Sequence, residues 1–281
     1  MSIGTVPAGY DPDRLVGLLS TWTDIPVDTG SPGAEHPVTR DEFPYMGRRS
    51  FAIHRQVLRQ WLGTASDVLE VGAGCGNHTV ALSRRGRRIT VGDISSVQLD
   101  AHREFVGAGP AEEAVAARVV LDVTGLPFPD NTFDASLALG GPLSYVFDRA
   151  AQGIAELLRV TRPRGLVVVS VMSPGWITSP HMGYGEPGAD PATFREMLRT
   201  GDVNPPGDGF AGHRFRCYTW QRLEELLASA DCTVRDRLVS HIDGVPRNLS
   251  VDRYMELARR PEHLDATRGY LIAVVEKCVA R

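Results

Sequence analysis

The chain has 281 residues, 42% of them hydrophobic, and a formal net charge of −4 at pH 7 from 30 Lys and Arg against 34 Asp and Glu. That length and apolar content provide for one large α/β domain with a substantial decoration, and the lack of a basic excess speaks against a nucleic-acid surface. The four cysteines, Cys75, Cys217, Cys232 and Cys278, are scattered without C-x-x-C spacing, which points away from a disulfide framework or a zinc site and toward a reducing cytoplasm.

Residues 1–47 are rich in Pro, Gly and Asp, with one short helical candidate at PDRLVGLLSTW, and read as a cap or lid on a domain spanning 48–281. The opening MSIGTVPAGYDPDRL carries neither a charged n-region nor an apolar h-region, and no apolar run reaches the roughly 18 residues of a membrane span. From Phe51 a helix is expected, because Phe51, His54, Val57, Leu58, Trp61 and Leu62 recur at three- and four-residue spacing before Gly63. The period then changes. DVLEVGAG (67–74) is a short apolar strand ending in glycines, NHTVALSRRG a helix, and RRITVGDIS (87–95) the next strand, which makes one βαβ unit. The alternation continues through a helix at VQLDAHREFVG, strands at ARVVLDV and FDASLAL, a helix at DRAAQGIAELLRVT and a buried strand at GLVVVSVMS. Such a series predicts a Rossmann-like, mostly parallel seven-stranded sheet with helices on both faces.

Residues 174–213 interrupt the pattern with a Gly- and Pro-dense insertion holding one short helix, ATFREMLRT. Insertions of this kind are commonly binding loops, so it is read as substrate-side structure. A helix at TWQRLEELLASA, a strand at CTVRDRLVSHI, a helix near VDRYMELARR and a last strand at YLIAVVEKCV complete the chain.

The stretch Glu70-Val71-Gly72-Ala73-Gly74-Cys75-Gly76 is the motif that narrows function. No Lys follows Gly76, which removes a P-loop, and Asn77 stands where a dinucleotide fingerprint needs its third glycine. What remains is a turn whose bare backbone lets a ligand approach, preceded by an acid that can meet a cation. Asp93 ends the second strand, about twenty residues on, where a carboxylate accepts ribose hydroxyls. Asp122 ends the third and is either an acceptor for an exocyclic amine or a turn-capping residue.

VLEVGAGCG, VGDIS, LDVTGLPFPDNTFD, LLRVTRPRGLVVVSVMS and YTWQRLEELLASA follow one another in an order and spacing that resemble the class I S-adenosylmethionine-dependent methyltransferases, in particular their small-molecule branch, over roughly residues 48–278. The resemblance implies S-adenosyl-L-methionine as cofactor. It implies that Glu70, Gly72, Ala73, Gly74 and Gly76 line the methionine and ribose, that Asp93 and Ile94 hold ribose and adenine, that Asp122 and Val123 face the adenine, and that Leu139 and Gly140 lie near the sulfonium. It also implies an Arg on the preceding helix for the cofactor carboxylate, with Arg48 the candidate and Arg49 its rival. His78 opens the helix after the glycines and either touches cofactor or caps the turn. The stretch GGPLSYV departs from the N-P-P-Y type motif of enzymes that methylate amide nitrogens.

These features lead to an expected transfer of a methyl group to oxygen or amine nitrogen of a small molecule, such as a secondary-metabolite intermediate. Histidines are the natural bases for such acceptors. His213 and His181 border the expected substrate mouth, with Tyr145, Trp176 and Tyr184 as an aromatic wall, whereas His54 sits on an apolar stripe and reads as a packed residue. No metal is expected, since ALGGPLSY offers no carboxylate where metal-dependent members carry ligands. Neither nucleic acid nor membrane is an expected partner, and the assembly is open between a monomer and a homodimer. The rival readings are a protein or RNA methyltransferase, a non-catalytic cofactor-binding regulator, and a sibling reaction of the same cofactor such as aminopropyl transfer.

Overall fold

Continuous apolar runs alternating with amphipathic helices become one seven-stranded sheet. A computed structural model describes residues 42–63, 65–83, 86–176, 191–204, 214–242, 244–245, 249–264 and 269–279, with backbone alone at 42–49, 176, 193 and 194. In chain order the elements are α1 (Glu42–Trp61), β1 (Asp67–Val71), α2 (Asn77–Ser83), β2 (Arg88–Asp93), α3 (Ser96–Val106), α4 (Pro110–Ala114), β3 (Val115–Val120), β4 (Phe133–Ala138), α5 (Ala150–Val160), β5 (Thr161–Met172), α6 (Pro191–Thr200), β6 (Asp202–Val203), β7 (Phe215–Arg216), α7 (Trp220–Ala228), β8 (Cys232–Val239), α8 (Val251–Ala258), α9 (Pro261–Leu264) and β9 (Tyr270–Lys277).

The sheet order is β3-β2-β1-β4-β5-β9-β8. Strands β1 to β5 pair in parallel, and β9 runs antiparallel to both β5 and β8. The mostly parallel sheet expected from the sequence is therefore present, with β9 as its one reversed strand. Val68, Leu69, Ala135, Leu137, Val167, Val168, Ile272 and Val274 are buried without residual exposure, as a sheet covered on both faces requires.

Chain order reverses between β1 and β4, because β2 and β3 are added on one side and β4 and β5 on the other. At such a switch point the loops leaving the carboxyl ends of neighbouring strands part and open a crevice. Here those loops are Gly72–Gly76 after β1, Ile94–Ser95 after β2 and Leu139–Gly141 after β4.

Three local expectations are revised. Helix α1 starts at Glu42 rather than Phe51 and runs across position 47. Pro44 falls in the first helical turn, where its missing N–H costs no helical hydrogen bond. Strand β3 stops at Val120, so Asp122 lies two residues beyond its end. Near its end the insertion forms a small ribbon, β6 inside it pairing antiparallel with β7 just after it. The Arg216 guanidinium secures it by binding both carboxylate oxygens of Asp202 and, at 2.6 Å, Asp148 in the loop before α5.

Candidate active site

The turn after β1 is shaped by packing as much as by any ligand. Gly72 adopts φ +67°, and a Cβ there would come within 2.3 Å of Pro142 Cγ in the loop after β4. A side chain at position 72 would therefore push apart the two loops that flank the switch point.

Glu70, next to last in β1, is 1% exposed. Its Oε2 accepts the Thr79 hydroxyl of α2 at 2.5 Å, and its Oε1 has no hydrogen-bond partner. Burial pushes the carboxyl up to about 7, the Thr79 bond opposes this, and the Asp93 charge adds to it. His78 is also buried, its Nδ1 4.0 Å from Glu70 Oε1 and its Nε2 without a partner. Burial, followed by the charges of His54 and Arg55, holds this imidazole well below its usual range, so it is neutral near pH 7. Its ring lies 5.4 Å from that of Phe51 and 5.2 Å from that of His54, and a Cβ on Gly140 would meet it at 3.9 Å. Glu70, His78 and Gly140 thus converge, with two buried polar atoms, Glu70 Oε1 and His78 Nε2, lacking hydrogen-bond partners.

Asp93 closes β2. One oxygen accepts Gly74 N–H and the other Ser95 N–H, each at 3.0 Å. Burial raises this carboxyl to about 6 against the pull of those backbone donors. A carboxylate oxygen carries two lone pairs, so acceptor capacity remains for hydroxyls while the same side chain ties the glycine turn to the end of β2. Ile94 follows it, half-buried. Asp122 Oδ1 accepts both the N–H and the hydroxyl of Thr124, and Oδ2 receives Arg149 at 3.2 Å. Its turn-capping role is therefore real, with Oδ2 the oxygen less fully used. Val123 lies within 3.5 Å of where a Gly153 Cβ would stand, so its side chain packs under α5. Ala73 and Leu139 are buried at the loop bases.

Tyr145, after the turn Pro142–Ser144, is half-buried with its ring 6.4 Å from that of Phe215 in β7. His54 is packed: its ring nitrogens contact the Ser50 carbonyl at 2.7 Å and the Ser170 hydroxyl at 3.0 Å, and burial lowers it to about 4. The side chains of Arg48, Arg49 and Trp176, and residues His181, Tyr184 and His213, lie outside the described residues. Sequence reasoning missed Thr79, His102 and Ser170, whose partners lie on other secondary-structure elements, 9 to 116 positions away, and leave no periodic signal in the sequence.

The donor set fits S-adenosylmethionine on the structure's own terms. An unpartnered, buried carboxylate oxygen at Glu70 suits an ammonium, the strand-end acid Asp93 suits vicinal hydroxyls, and Gly72, Gly74 and Gly76 of the turn between them carry no side chain.

Residues 68–165 match the family model described as a methyltransferase domain. A demethylmenaquinone methyltransferase of Clavibacter sepedonicus is 32% identical over 117 residues, which are 42% of this chain and 45% of that protein. The chain thus spans less than half the length of this curated relative. Among solved structures, the 1,6-didemethyltoxoflavin-N1-methyltransferase of Burkholderia thailandensis, with 1,6-didemethyltoxoflavin and S-adenosylhomocysteine bound, aligns with a TM-score of 0.52 at 20% identity over 99% of this chain and 95% of that one. The cyclase SpnF aligns with a TM-score of 0.57 at 21% identity over 95% of this chain and 94% of that one. At these identities the two structures share the fold.

Proposed function

From a chain that carries a methyltransferase domain on the class I S-adenosylmethionine-dependent fold, we propose that the protein transfers a methyl group from S-adenosylmethionine to oxygen or amine nitrogen of a small molecule, an intermediate of a biosynthetic route, in the cytoplasm. The observation that carries the reading is the buried Glu70 carboxylate, with one oxygen unpartnered, beside Asp93 at the carboxyl edge of the sheet. Demethylmenaquinone and didemethyltoxoflavin, named for two of the similar proteins, are small acceptors and support the substrate class.

When bound, S-adenosylmethionine supplies an electrophilic methyl on a sulfonium. Glu70 Oε1 receives the ammonium, and the backbone of Gly72, Ala73, Gly74 and Gly76 allows close approach. Asp93 and Ile94 hold the ribose, Asp122 and Val123 the adenine edge, and Arg48 the carboxylate. Leu139, Gly140 and His78 border the reacting end. With the two reactants held in line, positioning carries most of the acceleration, and the protein has little covalent work to do. His213, or in its place His181, takes the acceptor proton, and Tyr145 forms part of the acceptor wall. Residues 1–47 and 174–213 are assigned to covering the site. Slower proteolysis of both segments with S-adenosylhomocysteine bound is the expected sign, and equal rates would remove that assignment.

Calorimetry tests the reading directly: S-adenosylhomocysteine binds and NAD does not. The converse result would overturn it. Because the cyclase SpnF shares the fold, tight S-adenosylhomocysteine binding without methylation of any acceptor in a broad panel would favour a non-transferring role.

A further inference from the structure

A hydrogen-bond chain runs from the surface to Glu70, and its direction is forced link by link. The Arg118 guanidinium can only donate, so its Nε–H, 3.0 Å from His102 Nδ1, makes that nitrogen an acceptor and places the imidazole proton on Nε2. His102 Nε2–H then donates to Thr79 Oγ1 at 2.8 Å. The single hydroxyl proton of Thr79 is left for Glu70 Oε2, 2.5 Å away. Glu112 anchors the outer end, its two carboxylate oxygens 2.9 and 2.5 Å from Arg118.

The middle of the chain is sealed. His102 is 0% exposed, Thr79 0% and Glu70 1%. The His102 ring lies directly under the glycine turn, where a Cβ on Gly76 would stand 3.0 Å from its Cδ2 and 3.2 Å from its Nε2. Burial and then the Arg118 charge lower this imidazole to about 4, so the neutral tautomer the chain needs is the one present near pH 7.

We propose that His102 is a positioning residue for cofactor binding: through Thr79 it occupies Oε2 of Glu70, favours the ionised form of that carboxyl, and leaves Oε1 as the oxygen offered to the cofactor ammonium. The inference rests on the methyltransferase reading. Without His102 the Thr79 hydroxyl is free to rotate away, and a buried carboxyl that loses its donor takes up a proton instead. A neutral Glu70 no longer attracts an ammonium. The other groups facing Glu70 are Asp93 from β2, Cys75 in the turn and His78 from α2, with His54 of α1 behind His78. None of these belongs to the chain from Arg118, so its effect is separable.

The test uses the full chain in four forms: wild type, Thr79→Val, His102→Leu and His102→Gln. Two quantities are followed from pH 5.5 to 9, namely S-adenosylhomocysteine affinity by calorimetry and the Glu70 carboxyl ¹³C shift in the ligand-free protein. In Thr79→Val and His102→Leu the Glu70 midpoint and the acid limb of affinity are expected to move up from about 7 by about one pH unit, with roughly fivefold weaker binding at pH 7 and roughly tenfold at the acid end. His102→Gln can both accept from Arg118 and donate to Thr79, and should stay within about threefold of wild type. A structural role alone would weaken binding equally at every pH and leave the ¹³C midpoint in place, which would overturn the proposal. Thr79→Val alters little volume and keeps the question open to test if His102→Leu does not fold. A wild type that binds no S-adenosylhomocysteine at any pH would instead overturn the methyltransferase reading.

Discussion

The imidazole Nε2 of His54 and the hydroxyl of Ser170, 116 positions apart in the chain, lie 3.0 Å from each other in the core. The His54 Nδ1 faces the Ser50 carbonyl, which can only accept, so Nδ1 carries the proton and Nε2 accepts from Ser170. The same hydroxyl oxygen accepts Gly140 N–H at 2.8 Å. One serine on β5 thereby joins α1 to the loop that the proposed function sets beside the sulfonium.

Replacing this serine tests that connection. Ser170→Ala leaves Gly140 N–H and His54 Nε2 unpaired in a dry interior, at about 1–3 kcal/mol for each group. Urea unfolding should show the loss, and S-adenosylhomocysteine affinity should fall with it. An unfolding midpoint and affinity matching wild type would mean that water or a neighbour replaces the hydroxyl.

Gly72→Ala and Gly86→Ala separate backbone strain from collision. Both glycines hold positive φ, +67° and +64°, but only position 72 has an atom within 4 Å of the added carbon, Pro142 Cγ at 2.3 Å. Gly86→Ala should cost about 1 kcal/mol, the scale of a left-handed non-glycine residue. Gly72→Ala should cost at least about 2 kcal/mol more and weaken S-adenosylhomocysteine binding. Equal unfolding midpoints in the two variants would refute the loop contact.

Asp93→Ala removes a carboxylate that serves both the proposed ribose and the N–H groups of Gly74 and Ser95. Calorimetry should record S-adenosylhomocysteine binding weaker by about 1.5–3 kcal/mol. Unchanged affinity would leave Asp93 with its turn-fastening role alone.

His54 also contributes to the dependence of stability on pH. It is held to about 4 in the fold, while an unfolded histidine titrates near about 6.5. Below pH 6.5 the unfolded chain binds the extra proton, so the contribution is fully present above that pH and is lost as pH falls toward 4. Glu70 and Asp93, raised to about 7 and about 6, act in the opposite sense, since the fold retains protons that the unfolded chain has released. Comparing variants isolates the histidine. The drop in unfolding free energy from pH 7 to pH 5 should be smaller in His54→Gln than in wild type, and an equal drop would place the neutral state of His54 in doubt.

The proposed base has a kinetic signature. His213→Ala should lower turnover by about 10²-fold with S-adenosylhomocysteine affinity intact, and the pH–rate profile should lose a limb near about 6.5. If His213→Ala and His181→Ala both keep turnover within a few-fold, positioning alone suffices and the acceptor arrives already deprotonated.

The sequence by itself determined the sheet and its crevice. Apolar runs such as Val167–Val169, the spacing of Ile154, Leu157 and Leu158, and the glycines after Val71 are local patterns whose physics acts within a few residues. Glu70 and Asp93 were legible for the same reason, as acids at strand ends. Only the tertiary structure decided which oxygen of Glu70 is left open, because that depends on Thr79, His102 and Arg118, brought together from α2, α3 and β3. It likewise decided that Gly72 makes room for Pro142, that Asp122 caps its own turn, and that α1 begins nine residues before the periodicity does. Hydrogen-bond partnership and steric contact are set by distance in space, and burial then fixes the charge of each group by removing the water that would otherwise equalise them.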